Sequence, residues 1–205
     1  MSTDTTPPRT PSTTRRRRPV DPPTIAWPIG LVLLLVALGA WRVGDEPRAA
    51  ADSATEPTSV APRTFGDARL EVPRSWQTLD RSGERVTWGA SDRSHTVTLA
   101  STEASSVPLP TIAREVVAQS SDSLPEASTA GDPVAIDLQG RAPKGDSAVL
   151  VPFEVGDGTH PPIQVVQVWR RDSRAGVDLV ATWTSADGTW PASPRELLPR
   201  ASGSR

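Results

Sequence analysis

Between Asp21 and Arg42 the chain runs for 20 residues without a charge, from Pro22 to Trp41 (PPTIAWPIGLVLLLVALGAW). A helix of that length rises roughly 30 Å, the thickness of a bilayer's hydrocarbon core. Trp27 and Trp41 stand near its ends, where indole rings favour the membrane–water interface, and Pro28 falls in the first turn, where a missing N–H costs little. A helix packed on the core of a domain this small would keep a polar face toward water, and Leu31–Leu38 has none. The run therefore reads as a transmembrane signal anchor, and it divides the chain. Arg15–Arg18 precede it, whereas Arg42 and Arg48 follow diluted by Asp45 and Glu46, which predicts a cytoplasmic N-terminus and an extracytoplasmic C-terminal domain. The alternative is a signal peptide cut before Ala40, after the small residues Ala37 and Gly39. A twin-arginine signal fits poorly, because Asp21 interrupts the apolar positions after Arg17–Arg18.

Composition narrows the chemistry. Without Cys there is no disulfide framework, thiol nucleophile, Cys-ligated zinc or lipidated Cys, and two His exclude a His-rich metal centre. The part beyond Arg42 is net acidic, and four arginines in a disordered tail are too few for a nucleic-acid site, so no nucleic-acid partner is expected. Asn and Tyr are missing and Lys144 is the one lysine against 21 Arg, a bias toward GC-rich codons that points to a high-GC bacterium, an actinobacterium first. Extracytoplasmic then means the cell envelope.

Residues 1–21 form a basic cytoplasmic tail with little to bury, 22–41 the anchor, and 42–62 a flexible linker of the same polar texture. From 63 to 200 the pattern is that of an α+β domain. Leu70 and Val72 alternate with charges up to Pro73. Arg85–Trp88 and Thr96–Ala100 alternate as a hairpin across Gly89–Ser94. Pro108–Gln119 switches to helical spacing, with Pro110 in the first turn and Ile112, Ala113, Val116 and Val117 on one face. Val134–Leu138, Ser147–Val155, Ile163–Trp169 and Val177–Thr184 read as further strands, with turns at Gly140–Gly145 and Arg170–Gly176. Ser193–Leu198 reads as a short closing helix capped by Ser193. Short polar turns between consecutive strands imply a mostly antiparallel sheet with one or two covering helices.

Val72-Pro-Arg-Ser-Trp76, the strand pair over 85–100, the helix after a Pro-rich loop and the long strands beyond it carry a resemblance. The domain resembles the small actinobacterial envelope proteins with a PsbP-like α/β/α sandwich, as in LpqN-type lipoproteins and type VII secretion-associated membrane proteins. The lipoproteins' lipidated Cys is absent, and a membrane helix would serve as anchor instead. The resemblance implies a non-catalytic accessory or binding domain and carries no functional residue over.

The residues themselves offer few catalytic constellations. There is no G-x-S-x-G or S-x-x-K, and no glycine-rich phosphate loop, since Gly156 and Gly158 lack a following helix and Lys. The acids are scattered singly among arginines, unlike the facing pair of a glycosidase. His95 is expected at an exposed edge position. His160 shares a loop with Asp157, two potential ligands where a metal needs more. No catalytic residue, metal or cofactor is expected. The candidate ligand or partner contacts are Trp76 and Trp190, in turns beside prolines where aromatics can line a groove or cap a sheet edge, and Arg170 and Arg171 on a hairpin tip that could meet anionic headgroups or wall polymers. Trp88, Trp169 and Trp183 belong in the core. The expected partners are the membrane and another envelope protein or wall polymer. A secreted ligand carrier and a small hydrolase are the competing functions.

Overall fold

The computed structural model describes residues 59–137, 147–190 and 200–201. The anchor, the linker up to residue 58, the expected 140–145 turn and the expected 193–198 helix lie outside the described residues. Among the described residues no helix is long and apolar enough to cross a membrane.

Among the described residues two sheets and one helix make up the domain, and all the strand pairs are antiparallel. β1 (Val60–Phe65), β2 (Ala68–Pro73) and β11 (Arg200–Ala201) form a small sheet in the order β1-β2-β11. The large sheet contains β3 (Gln77–Arg81), β4 (Arg85–Gly89), β5 (His95–Glu103), β6 (Thr129–Ala130), β7 (Val134–Ile136), β8 (Ser147–Val155), β9 (Ile163–Asp172) and β10 (Val177–Ser185). Its order is β3-β4-β5-β10-β9-β8-β6, with β7 also on β8. The helix α1 (Leu109–Ser121) follows Pro108 and has Pro110 in its first turn, where no intrahelical N–H is needed. Its buried stripe of Leu109, Ile112, Ala113 and Val116 packs against β8 and β9 through Val149, Val151, Phe153, Val165 and Trp169.

The opposite face of the large sheet meets the small sheet. Phe65, Ala68, Leu70 and Val72 from β1 and β2 pack on Val86, Trp88, Val97, Leu99, Val168, Leu179 and Trp183. β9 and β10 are therefore covered on both faces, which accounts for their near-continuous Val/Leu/Trp runs. The expected α+β architecture stands, with one helix on one face among the described residues. Among these residues the opposite face is covered by the three-stranded sheet. β1 also begins at Val60, three residues before the boundary expected at residue 63.

β3 had no signal in the sequence. Its QTLDR side chains are mostly exposed because it is an edge strand, and a bulge between Thr78 and Asp80 interrupts its pairing with β4. Charge and a bulge both blunt an edge against further strand addition. The bulge sets Leu79 against Gly89, where an added Cβ would lie 2.7 Å from Leu79 Cδ1 and 2.8 Å from His95 O. Only glycine fits there.

Candidate functional site

The antiparallel register gathers the polar turns at one end of the large sheet. Ser185 at the end of β10 pairs with His95 at the start of β5 and with Gln164 on β9, and Gln164 pairs with Glu154 on β8. The 90–94 and 156–162 hairpin loops and the 186–190 segment therefore form a common rim that holds both histidines.

Three turns on this rim share one design, an Asp whose Oδ1 accepts from the N–H and hydroxyl of the Ser or Thr two residues on. Ser94 donates to Asp92 at 3.0 Å from N and 2.8 Å from Oγ. Thr159 donates to Asp157 at 2.8 Å from each. Thr189 donates to Asp187 at 2.9 and 2.8 Å. Such turns suit Asp because its carboxylate imitates a backbone carbonyl. In the first two turns a His follows, with Nδ1 at 2.9 Å from the same hydroxyl. His160 also meets Asp157 Oδ2 at 3.0 Å and is 71% exposed. His95 is 20% exposed, and its Nε2 reaches across to Asp187 Oδ1 at 3.1 Å and Thr189 Oγ1 at 3.2 Å. It thus ties the β4–β5 hairpin to the chain leaving β10. β5 is an interior strand, so His95 does not occupy the edge position expected for it.

The electrostatics follow these bonds. Burial works against the charge of Asp187, but the Thr189 and Ser185 hydrogen bonds and the His95 ring outweigh it and hold its pKa down to about 2. At Asp92 burial is likewise overcome, by Ser94 first. Asp157 is held well below the usual carboxylate range, chiefly by His160 and then by Thr159.

Ser94, His95 and Asp187 touch in the order of a nucleophile, base and acid, at 2.9 and 3.1 Å. Activation would require the Ser94 hydroxyl to give its proton to His95, yet that hydroxyl donates to Asp92. The same contact recurs at Thr159–His160, which marks it as a property of the turn. Among the described residues no group of three His, Cys, Asp or Glu could hold a metal ion.

The expected contact residues are dispersed. Trp76 lines no surface groove; it is 6% exposed, its ring centroid 6.0 Å from that of Trp183 at 52° between planes. Trp190 is half-buried against the same cluster. Trp88, Trp169 and Trp183 are buried, as expected. Arg170 and Arg171 lie in β9, ahead of the 173–176 tip. Arg171 donates from Nε and Nη2 to the two oxygens of Asp178, each at 2.7 Å, and from Nη2 to Val107 O at 3.0 Å. Ser105 N–H completes the cage on Asp178 at 3.1 Å. Asp178 raises the Arg171 pKa further. This clasp joins the β9–β10 hairpin to the β5–α1 connection, and it occupies the guanidinium that an anionic ligand would need. The signal was present in sequence only as an Asp one residue into the next strand.

No family model matches the chain, and no curated protein matches it. Among solved structures, cyanobacterial PsbP (CyanoP) from Synechocystis sp. PCC 6803 superposes with a TM-score of 0.51 at 11% identity, covering 75% of this chain and 98% of that one. The Saccharomyces cerevisiae Ran-binding protein Mog1p gives a TM-score of 0.43 at 9% identity, covering 62% of this chain and 78% of that one. The fold is PsbP-like.

Proposed function

We propose that on this PsbP-like fold the chain is a single-pass, membrane-anchored accessory or binding domain of the bacterial cell envelope, extracytoplasmic and non-catalytic. The observation that carries it is the uncharged Pro22–Trp41 run behind Arg15–Arg18. The non-catalytic half draws support from the rim, where the Ser94 and Thr159 hydroxyls are committed to turn carboxylates. By resemblance its functional class is that of the actinobacterial LpqN-type lipoproteins and type VII secretion-associated membrane proteins, with the membrane helix replacing the lipid. Another envelope protein or a wall polymer is the partner.

Fusion of alkaline phosphatase tests the reading. It is expected to be active after Arg205 and inactive after Thr14, and the reverse pattern would overturn the orientation. The same material, kept in membranes through a carbonate wash at its uncleaved mass, would exclude cutting before Ala40.

A further inference from the structure

The chain enters the described domain at the rim end of the large sheet. Arg74 fixes that point, donating from N to Ser59 O at 2.9 Å and from Nε to Val60 O at 3.3 Å. Val60 pairs with Pro73, and Trp76 N–H closes the following turn on Pro73 O at 3.1 Å. Gln77 then pairs with Gly89, and Gly89 with Thr96, beside His95. One corner thus joins the incoming chain, the 90–94 loop and the rest of the rim. The opposite end carries the 82–84 and 173–176 turns.

We infer that the domain holds its His95–Asp187 rim toward the lipid surface and its β9–β10 tip farther from it. The inference rests on the anchoring reading. Residues 42–58 would be the whole tether, and as coil these 17 residues span roughly 23 Å. β9 alone, at ten residues, is roughly 33 Å long. Laying the tip on the bilayer lifts the anchoring corner by about that length, beyond the tether's root-mean-square reach, so chain entropy opposes it. A partner approaching from outside would meet the 82–84 and 173–176 turns first, and the rim would be a membrane-facing surface.

The chain has no cysteine, so single labels are unambiguous. The full chain, inserted into phosphatidylcholine vesicles carrying an acceptor lipid, would be labelled with a donor at Ser91→Cys on the rim or Ala175→Cys on the tip, both exposed positions. Transfer is expected to be at least about twofold higher from Ser91→Cys, given strands roughly 30 Å long between the two ends. Glu126→Cys, two residues from Ser128, whose hydroxyl meets Gly156 of the rim at 3.3 Å from N, and Glu84→Cys in the 82–84 turn are a second rim and tip pair, both exposed. Equal or reversed efficiencies in both pairs, with the protein still floating with the vesicles, would overturn the orientation alone. Failure to float would overturn the anchoring reading, and the orientation with it.

Discussion

Replacing Arg171 by Met tests whether the clasp on Asp178 is a structural element or a surface charge. Asp178 is 3% exposed and Arg171 15%. The substitution removes both charge-assisted bonds of 2.7 Å and the 3.0 Å bond to Val107 O, and leaves the carboxylate with Ser105 N–H. Removing one partner of a buried pair costs about 3–5 kcal/mol, because the other charge stays desolvated. The residual exposure of Arg171 places the loss at the low end, about 3 kcal/mol. That is a large part of the 5–15 kcal/mol that holds an ordinary domain together. Urea unfolding followed by tryptophan emission would read it, since Trp88, Trp169 and Trp183 are buried. Arg171→Met with Asp178→Leu should recover about 2 kcal/mol relative to Arg171→Met, as apolar replacement of both partners is often near neutral. Arg174→Ala, on the exposed tip, should stay within about 0.5 kcal/mol. A loss below about 1 kcal/mol for Arg171→Met, or no recovery in the double variant, would refute the reasoning and return Arg171 to the pool of available cations.

Three further outcomes are expected. Thr182 is fully buried with no hydrogen-bond partner on Oγ1, so Thr182→Val should leave stability unchanged or raise it by about 1 kcal/mol, as measured by urea midpoint. His95→Ala should cost about 1–2 kcal/mol by the same assay, because it unties Asp187 and Thr189, whereas exposed His160→Ala should leave the midpoint unmoved; equal effects would show that the cross-rim contact is idle. Asp187 has a folded pKa depressed from 3.8 to about 2, so its contribution is complete above about pH 4 and lost as pH falls toward 2; in Asp187→Asn that part of the acid unfolding curve should flatten, by at most about 1 kcal/mol after solvent screening.

Alternating apolar positions made most of the domain legible. β2, β4, β5, β8, β9 and β10 and the face of α1 follow from period two and period 3.6, because each buries a stripe that its own spacing creates. Trp88, Trp169 and Trp183 were assignable to the core for the same reason. Periodicity says that a strand has two faces; it does not say what covers each. Thr96, Thr98, Thr182 and Thr184 look solvent-facing in sequence, yet all are buried, with Thr96 paired to Thr184 at 2.7 Å and Thr98 to Thr87 at 2.9 Å. β5 and β10 lie in the interior of the sheet, and strand order is a long-range property.

The sequence by itself therefore determined the uncharged segment, the absence of thiol chemistry, the α+β class and the apolar core of the long strands, all of which depend on neighbours within one helix or strand. Tertiary structure alone decided that Trp76, beside a proline turn, swings under the small sheet to meet Trp183, that Arg171 is bound by Asp178, and that His95 bridges to Asp187. Each of these depends on which strand lies beside which. Trp76 and Trp183, and His95 and Asp187, are about a hundred residues apart in the chain, and Arg171 and Asp178 meet only because the hairpin folds back in that register. Local spacing carries no information about such pairings, since the energy that selects them comes from burying both faces of one sheet at once.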